Sequence, residues 1–141
     1  MLSLKEKNKM IELELQAKFD NFIKLRENIF YFLESNNVKS SIISEILIVA
    51  EEIFTNIIRH SYEGESSDFI FVKISIEDDT FILRFMDSGK QVESINIPDS
   101  LSQIKGKVGG LGLYLIKKLS DSYIYLSDGK WNINEVKKKI N

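Results

Sequence analysis

A chain of 141 residues, 43% hydrophobic and 28% charged, has the make-up of one ordinary globular domain with a single core. Its net charge of −2, with lysines spread along the chain rather than clustered, gives no footing for a nucleic-acid surface. The lack of cysteine excludes disulfides, thiolate metal sites and a thiol nucleophile, and a single histidine argues against a histidine-rich metal cluster.

Met1 to Lys9 is lysine-rich with no apolar run behind it, so it reads as a short extension rather than a signal peptide. The rest, 10–141, reads as one domain, and no stretch is apolar enough to span a membrane. The expectation is a cytoplasmic protein. Ile11, Leu13 and Leu15 alternate with Glu12, Glu14 and Gln16, the period of a half-buried strand. Asp20 is placed to cap a helix in which Phe22, Ile23, Ile29, Phe30 and Leu33 recur at roughly helical spacing, stopped by Asn36-Asn37. Ser40 or Ser41 caps a second helix running to about His60. Phe69 to Glu77 and Phe81 to Met86 are strands joined by a hairpin turn at Asp78-Asp79. Ser88 to Val108 has no periodicity and carries the only proline, Pro98; a loop of this length in a compact domain points to a functional lid or to disorder. Leu111 to Leu119 is a helix, Tyr123 to Leu126 a strand, and Trp131 to about Val136 a last strand after a turn at Asp128-Gly129. This order predicts an α+β fold, a two-layer sandwich with a mostly antiparallel sheet and helices on one face.

Three short segments carry chemistry. On a wheel of about 100° per residue, Ile43, Ile46, Leu47, Ala50, Phe54 and Ile57 share one side of the second helix. Glu45, Glu52, Asn56 and Arg59 fall in a narrow arc on the other, flanked by Ile48 and Val49. A thin polar arc bordered by aliphatic residues fits the wall of a cleft. Asparagine is a poor helix former, so Asn56 in mid-helix needs a reason. An amide oxygen is a neutral ligand for Mg²⁺, and Glu52 one turn earlier could deprotonate a hydroxyl or water. The ordinary alternative is a solvated glutamate beside a hydrogen-bonded asparagine.

The second segment is Asp87-Ser88-Gly89, at the end of a strand with Phe81, Leu83 and Phe85 on one face. A carboxylate at the bottom of an apolar pocket accepts a hydrogen bond from an exocyclic amine such as that of adenine, and Gly89 lets the base approach the backbone. The same three residues also make a plain turn. The third is Gly109-Gly110-Leu111-Gly112-Leu113, which opens a helix. Glycine there costs up to about 1 kcal/mol relative to alanine, a cost explained if bare N–H groups face a phosphate at the helix's positive end. It is neither a GxxxxGK[ST] loop nor a dinucleotide fingerprint. A glycine hinge before an amphipathic helix is the alternative.

Together these residues resemble the GHKL ATPase superfamily, built on the Bergerat fold. Glu52-x-x-x-Asn56 resembles its N box, Asp87-x-Gly89 its G1 box and Gly110-Leu-Gly-Leu113 its G2 box. Within it, Ala50 to Tyr62 and Gly109 to Ile116 are most similar to the anti-sigma-factor serine/threonine kinases of bacterial partner-switching systems. The resemblance implies that Glu52 is the catalytic base, Asn56 the Mg²⁺ ligand and Asp87 the adenine reader. Gly89 would lie against the base, Gly110, Leu111, Gly112 and Leu113 would offer backbone to the phosphates, and Arg59 and His60 would stand on the phosphate side. About 88–108 would be the ATP lid, with Lys105 and Lys107 as γ-phosphate contacts. The implied partners are an anti-sigma-factor antagonist of the STAS type, phosphorylated by ATP with Mg²⁺, a sigma factor that is sequestered, and a second copy in a homodimer. A nucleotide-dependent binding module that phosphorylates nothing, or a slow ATPase, is the alternative. The chain departs from the family after Gly89, where Lys90-Gln91-Val92 replaces a second glycine or a proline-phenylalanine pair. It departs again at Gly129-Lys130-Trp131, where a glycine-threonine pair is usual and no third adenine contact is assigned.

Overall fold

The computed structural model of the chain describes residues 10–91 and 110–141. In chain order these form strand β1 (Met10–Gln16), a 3-10 turn (Phe19–Asn21), helix α1 (Phe22–Ser35), helix α2 (Ser40–Asn56) and a π-helical turn (Ile57–Ser61). Then come β2 (Phe69–Glu77), β3 (Thr80–Asp87), α3 (Gly110–Leu119), β4 (Ser122–Ser127) and β5 (Asn132–Lys139). The five strands make one sheet in the order β1-β2-β3-β5-β4, with every neighbouring pair antiparallel. This is the expected two-layer α+β sandwich.

The core follows from strand parity. Leu15 of β1, Ile70, Val72 and Ile74 of β2, Phe81, Leu83 and Phe85 of β3 and Val136 of β5 are buried, while their sequence neighbours are less so or turn to the other face. Against them pack Leu25, Ile29, Phe32 and Leu33 of α1, Ile43, Ile46, Val49, Ala50, Ile53 and Phe54 of α2, and Ile116 of α3. Phe32 reaches Phe81 across the two layers at 6.4 Å between ring centroids, and Phe22 meets Phe54 between helices at 6.0 Å. Each side chain of this size contributes about 1.5–3 kcal/mol on full burial. Towards one end of the sheet the inward rows change character. Ile74–Leu83–Val136 is wholly apolar, Val72–Phe85–Asn134 is mixed, and Asp87–Asn132 is polar. A sheet that turns polar at one edge of its buried face is where a site belongs.

Several local expectations shift. Asp20 lies inside the 3-10 turn rather than at a cap, and no side chain caps α1 or α2. The face of α1 is also rotated: Leu25 and Phe32 are buried, whereas Ile23 is 63% and Phe30 36% exposed. The stop at Asn36-Asn37 is a Schellman motif. Asn37 takes a left-handed φ of 59° and donates to Glu34 O at 3.0 Å, and Val38 N–H returns to Leu33 O at 3.1 Å, with Val38 tucked into the core. Ser40 is the first residue of α2 and not its cap, and α2 proper ends at Asn56, four residues short of His60. The β2–β3 hairpin turns on Asp78 (φ 47°) and Asp79 (φ 62°), both left-handed as a type I′ turn requires. β5 starts one residue later than expected and runs three further, to Lys139.

Candidate functional site

α2 and its π-helical end carry one wall of the site. Glu52 and Asn56 sit one turn apart, both half-buried. Val49 at the edge of their arc is buried and Ile48 is 43% exposed, so only one flank of the arc is covered by the core. Glu45, further back, is paired with Lys138 Nζ at 3.4 Å; the same ammonium donates to Leu119 O at 2.6 Å and closes the C-terminal end of α3. Beyond Asn56 the helix widens, with Tyr62 N–H bonding to Ile57 O at 3.0 Å, five residues back. Ile57 is buried, as the 100° wheel places it, but the π turn displaces the residues after it from the wheel. Arg59 does not continue the Glu52–Asn56 arc: its guanidinium lies over the Phe19 ring, 5.7 Å from the centroid. His60 beside it is exposed.

What the π turn gains is a grip on the end of β3, and such turns recur at functional sites. The Ser61 hydroxyl donates to Asp87 Oδ1, and the Ser61 carbonyl accepts from Lys90 N–H at 2.6 Å. The Tyr62 hydroxyl accepts from Ser88 N–H at 3.0 Å and donates to Phe69 O at 2.8 Å. Residues 87–90 are thus held against α2 through side chains at the helix end. Gly89 is required by this approach. A Cβ there would stand 2.5 Å from Ser61 Oγ and 2.6 Å from Ser61 C, and the second of these is backbone that cannot swing aside. Gly89→Ala is therefore expected to destabilise the fold by about 1–3 kcal/mol through overpacking, measured as a lower urea midpoint at unchanged m-value. An unchanged midpoint would mean that the close approach is not maintained in solution.

Asp87 is 1% exposed, and its two oxygens differ. Oδ1 accepts from the Ser61 hydroxyl, from Gly89 N–H at 2.9 Å and from Asn132 Nδ2 at 2.9 Å. Oδ2 is buried with no donor among the described residues. A buried carboxylate oxygen without a donor is costly unless something supplies one. The fit is to a ligand that brings an N–H or O–H.

The third wall is the start of α3. Gly112 packs so tightly against Glu52 that a Cβ there would overlap Glu52 Oε2, with Asn56 Nδ2 at 3.8 Å. Bare backbone at the beginning of α3 therefore adjoins the Glu52–Asn56 pair. Leu111 is 52% exposed, Leu113 packs partly against the core, and Gly110 is the first helical residue. Lys105 and Lys107 lie outside the described residues. The structure thus joins Glu52, Asn56 and Gly112 in one cluster and Asp87 and Gly89 in a second, and α2 with its π turn runs through both. Glu52 and Ser61 are nine residues apart, so α2 and its π turn link the two clusters.

Four polar residues of the site receive no role from the sequence: Ser61 and Tyr62, which lie within the Ala50–Tyr62 stretch, and Tyr125 and Asn132, which lie outside every motif. Asn132 occupies the region where no third base contact was assigned. It is 1% exposed, pairs with Asp87 across the β3–β5 ladder, and accepts from the Tyr125 hydroxyl at 3.0 Å. Asn134, two residues on, accepts from the Tyr123 hydroxyl at 2.5 Å; burial, and then neighbouring Tyr125, pushes the Tyr123 pKa well above its usual range, so this donor stays protonated. Asparagine is depleted in strands. Two of them on the inward parity of β5, alternating with Val136, were the available signal. The turn before β5 is fixed by Asp128, whose carboxylate is held below its ordinary range by the backbone N–H groups of Trp131 and Lys130.

Comparisons with known proteins bear on the family and the fold. The chain is similar over 97 residues, at 27% identity, to the serine-protein kinase RsbW of Listeria monocytogenes and to that of Listeria innocua. That stretch covers 62% of this chain and 60% of each relative, so the match spans rather less than two thirds of either. Among solved structures, the RsbU and RsbW domains of Rv1364c from Mycobacterium tuberculosis share the fold at TM-score 0.70 and 15% identity, over 93% of this chain and 32% of that one. The SiaB–SiaC complex from Pseudomonas aeruginosa does so at TM-score 0.68 and 12% identity, over 94% and 91%. At these identities the structures speak for the fold alone. The family model of the histidine kinase-like ATPase domain matches residues 15–137, nearly the whole described sheet and every helix, and the chain belongs to that family.

Proposed function

We propose that this chain is an ATP-dependent serine/threonine protein kinase that phosphorylates an anti-sigma-factor antagonist and sequesters a sigma factor in a partner-switching system. The observation that carries the reading is Asp87 Oδ2, a buried acceptor with no donor among the described residues. The exocyclic amine of adenine supplies that donor. The family supports ATP as the ligand, and the relatives named as serine-protein kinases support transfer to a protein hydroxyl.

With the base at Asp87, the triphosphate extends along α2 towards Glu52, Asn56 and the start of α3. Among the described residues no three histidine or acidic side chains stand together as a metal site. Mg²⁺ keeps several waters and is held by few protein oxygens together with the phosphates it accompanies. The Asn56 amide oxygen would be the protein's ligand, and the ion would neutralise charge on the phosphates. The residues of the chain do the rest. Backbone N–H groups over 110–113 receive the phosphates at the positive end of α3. Glu52 takes the proton of the attacking serine or threonine hydroxyl as its oxygen bonds to the γ-phosphorus and the bond to the β-phosphate oxygen breaks, releasing ADP. His60, exposed on the π turn, together with Lys105 and Lys107, is the proposed outer phosphate contact, while Arg59 is turned to the Phe19 ring. A homodimer in the cytoplasm completes the reading; no helix among the described residues is long and apolar enough to cross a membrane.

A thermal-unfolding titration with ATP and Mg²⁺ tests it. At about a hundred times its dissociation constant the nucleotide is expected to add about 2.7 kcal/mol of stability. For a domain of this size that is a rise in Tm of roughly 10 °C. No shift at millimolar ATP, with and without Mg²⁺, would overturn the nucleotide reading and the kinase reading with it.

A further inference from the structure

The amide of Asn132 is oriented by its surroundings. Its Oδ1 faces the Tyr125 hydroxyl at 3.0 Å. Its Nδ2 faces four oxygens: Asp87 Oδ1 at 2.9 Å, Ser61 Oγ at 3.1 Å, and the carbonyls of Gly89 and Lys90 at 3.2 Å each. Turning the amide over would set its oxygen against a carboxylate and two carbonyls that have no proton to give. The group is locked, and through it so is Asp87. An unrestrained carboxylate swings about its terminal torsion and offers either oxygen in a range of directions. Here Ser61, Gly89 N–H and Asn132 converge on Oδ1, so Oδ2 alone is left, in one direction.

That restraint has a consequence for which base is accepted. A 6-amino purine presents a donor at C6 and meets Oδ2 well. A 6-oxo purine presents an acceptor at C6 and a donor at the adjacent N1, so it binds a carboxylate only if the carboxylate re-aims. We infer that Asn132, with Ser61, is the positioning residue that makes this pocket select 6-amino over 6-oxo purines, by fixing which oxygen of Asp87 faces the base and where it points. The inference rests on the nucleotide reading proposed above and adds to it a residue outside the motifs. It also gives the departure near Trp131 a meaning. In place of a small polar side chain, β5 begins with an amide long enough to bind the carboxylate and the carbonyls of residues 89 and 90 at once.

ATP and ITP differ at C6 and N1, and their binding to the whole chain, each with Mg²⁺, tests this by calorimetry. A hydrogen bond to a charged partner is worth about 1.5–3 kcal/mol, so the wild type is expected to favour ATP by about 10- to 100-fold. Asn132→Leu, close in volume but without polar atoms, is expected to shrink that ratio at least about fivefold as the carboxylate regains its freedom, and Ser61→Ala to shrink it about two- to threefold, one neutral donor of the three being lost. A structural role alone would weaken both nucleotides together and leave the ratio unchanged; that result in the two variants overturns the inference. So does a wild type that binds ATP and ITP equally, which leaves the nucleotide site itself intact. A wild type that binds neither removes the nucleotide reading and this inference together. Should Asn132→Leu fail to fold, as judged by circular dichroism, the ratio in Ser61→Ala decides.

Discussion

Replacing Glu52 by glutamine is expected to slow phosphoryl transfer to the partner hydroxyl by at least about a hundredfold while leaving ATP affinity within about threefold of the wild type. The substitution suits the site. Glutamine has the length and shape of glutamate, and Gly112 offers no side chain that the new amide would strike. The fold should therefore be indifferent to the change. Only the capacity to take a proton is lost, and a positioned base contributes about 10²–10⁴ to such a step. The measurement pairs two readings on one preparation: the rate of label transfer from ATP to a purified antagonist protein, and calorimetric affinity for ATP with Mg²⁺. Transfer by the variant at the wild-type rate would remove Glu52 as the base. A parallel loss of affinity and rate would assign Glu52 to binding instead.

The fold was legible because its elements carry clean periods. β1 alternates for seven residues, and β2 and β3 are dense in β-branched and aromatic residues on either side of a two-aspartate turn. Their register follows from the turn, which is why the sheet matches the expectation closely. Helix α1 is where the pattern misled. Ile23, Phe30 and Tyr31 form an apolar set on the outer side of the helix, at 63%, 36% and 68% exposure, and compete in the sequence with the true core set of Leu25, Ile29, Phe32 and Leu33. Periodicity reports that a helix has an apolar stripe, and with two stripes it does not say which one the sheet covers. The end of α2 misled for a different reason. Whether a turn closes at four or five residues depends on what the last side chains reach, and Ser61 and Tyr62 reach a strand end 26 residues away.

The same distinction separates the parts of the site that could be read from those that could not. Glu52, Asn56, Asp87 and the glycines stand in short motifs, so their spacing is visible in one dimension. Gly89 has a steric reason that the motif does not state, the close approach of the Ser61 backbone, and Gly112 stands against the carboxylate end of Glu52. Asn132 is 45 residues from Asp87 and meets it only because β5 inserts beside β3 in the sheet. Nothing local marks that pairing. Arg59 shows the opposite failure: it lies in the polar arc of a regular helix, and the π turn carries it away to the ring of Phe19.

Asp87→Asn is expected to abolish nearly all nucleotide-induced stabilisation without unfolding the protein. The amide can keep an oxygen where Oδ1 stands, so the donors from Ser61, Gly89 and Asn132 retain their acceptor. The change falls on the other atom. Where Oδ2 offered a buried acceptor there is now an NH₂ group, and it meets the amine of the base donor to donor. Losing a hydrogen bond to a charged group costs about 1.5–3 kcal/mol, and an unsatisfied buried donor about 1–3 kcal/mol more, so affinity should fall by about a hundredfold or beyond. At a concentration that gives the wild type about 2.7 kcal/mol, a site a hundred times weaker gains about RT ln 2, or about 0.4 kcal/mol. Without nucleotide the two effects on the fold oppose each other. The variant no longer buries a charge whose second oxygen lacks a donor among the described residues, but it buries an amide in the same place. The two proteins should then unfold within a few degrees of each other when free and separate sharply when ATP and Mg²⁺ are added. A variant stabilised by ATP as fully as the wild type would mean that Asp87 is a structural carboxylate and that the base, if one binds, is read elsewhere.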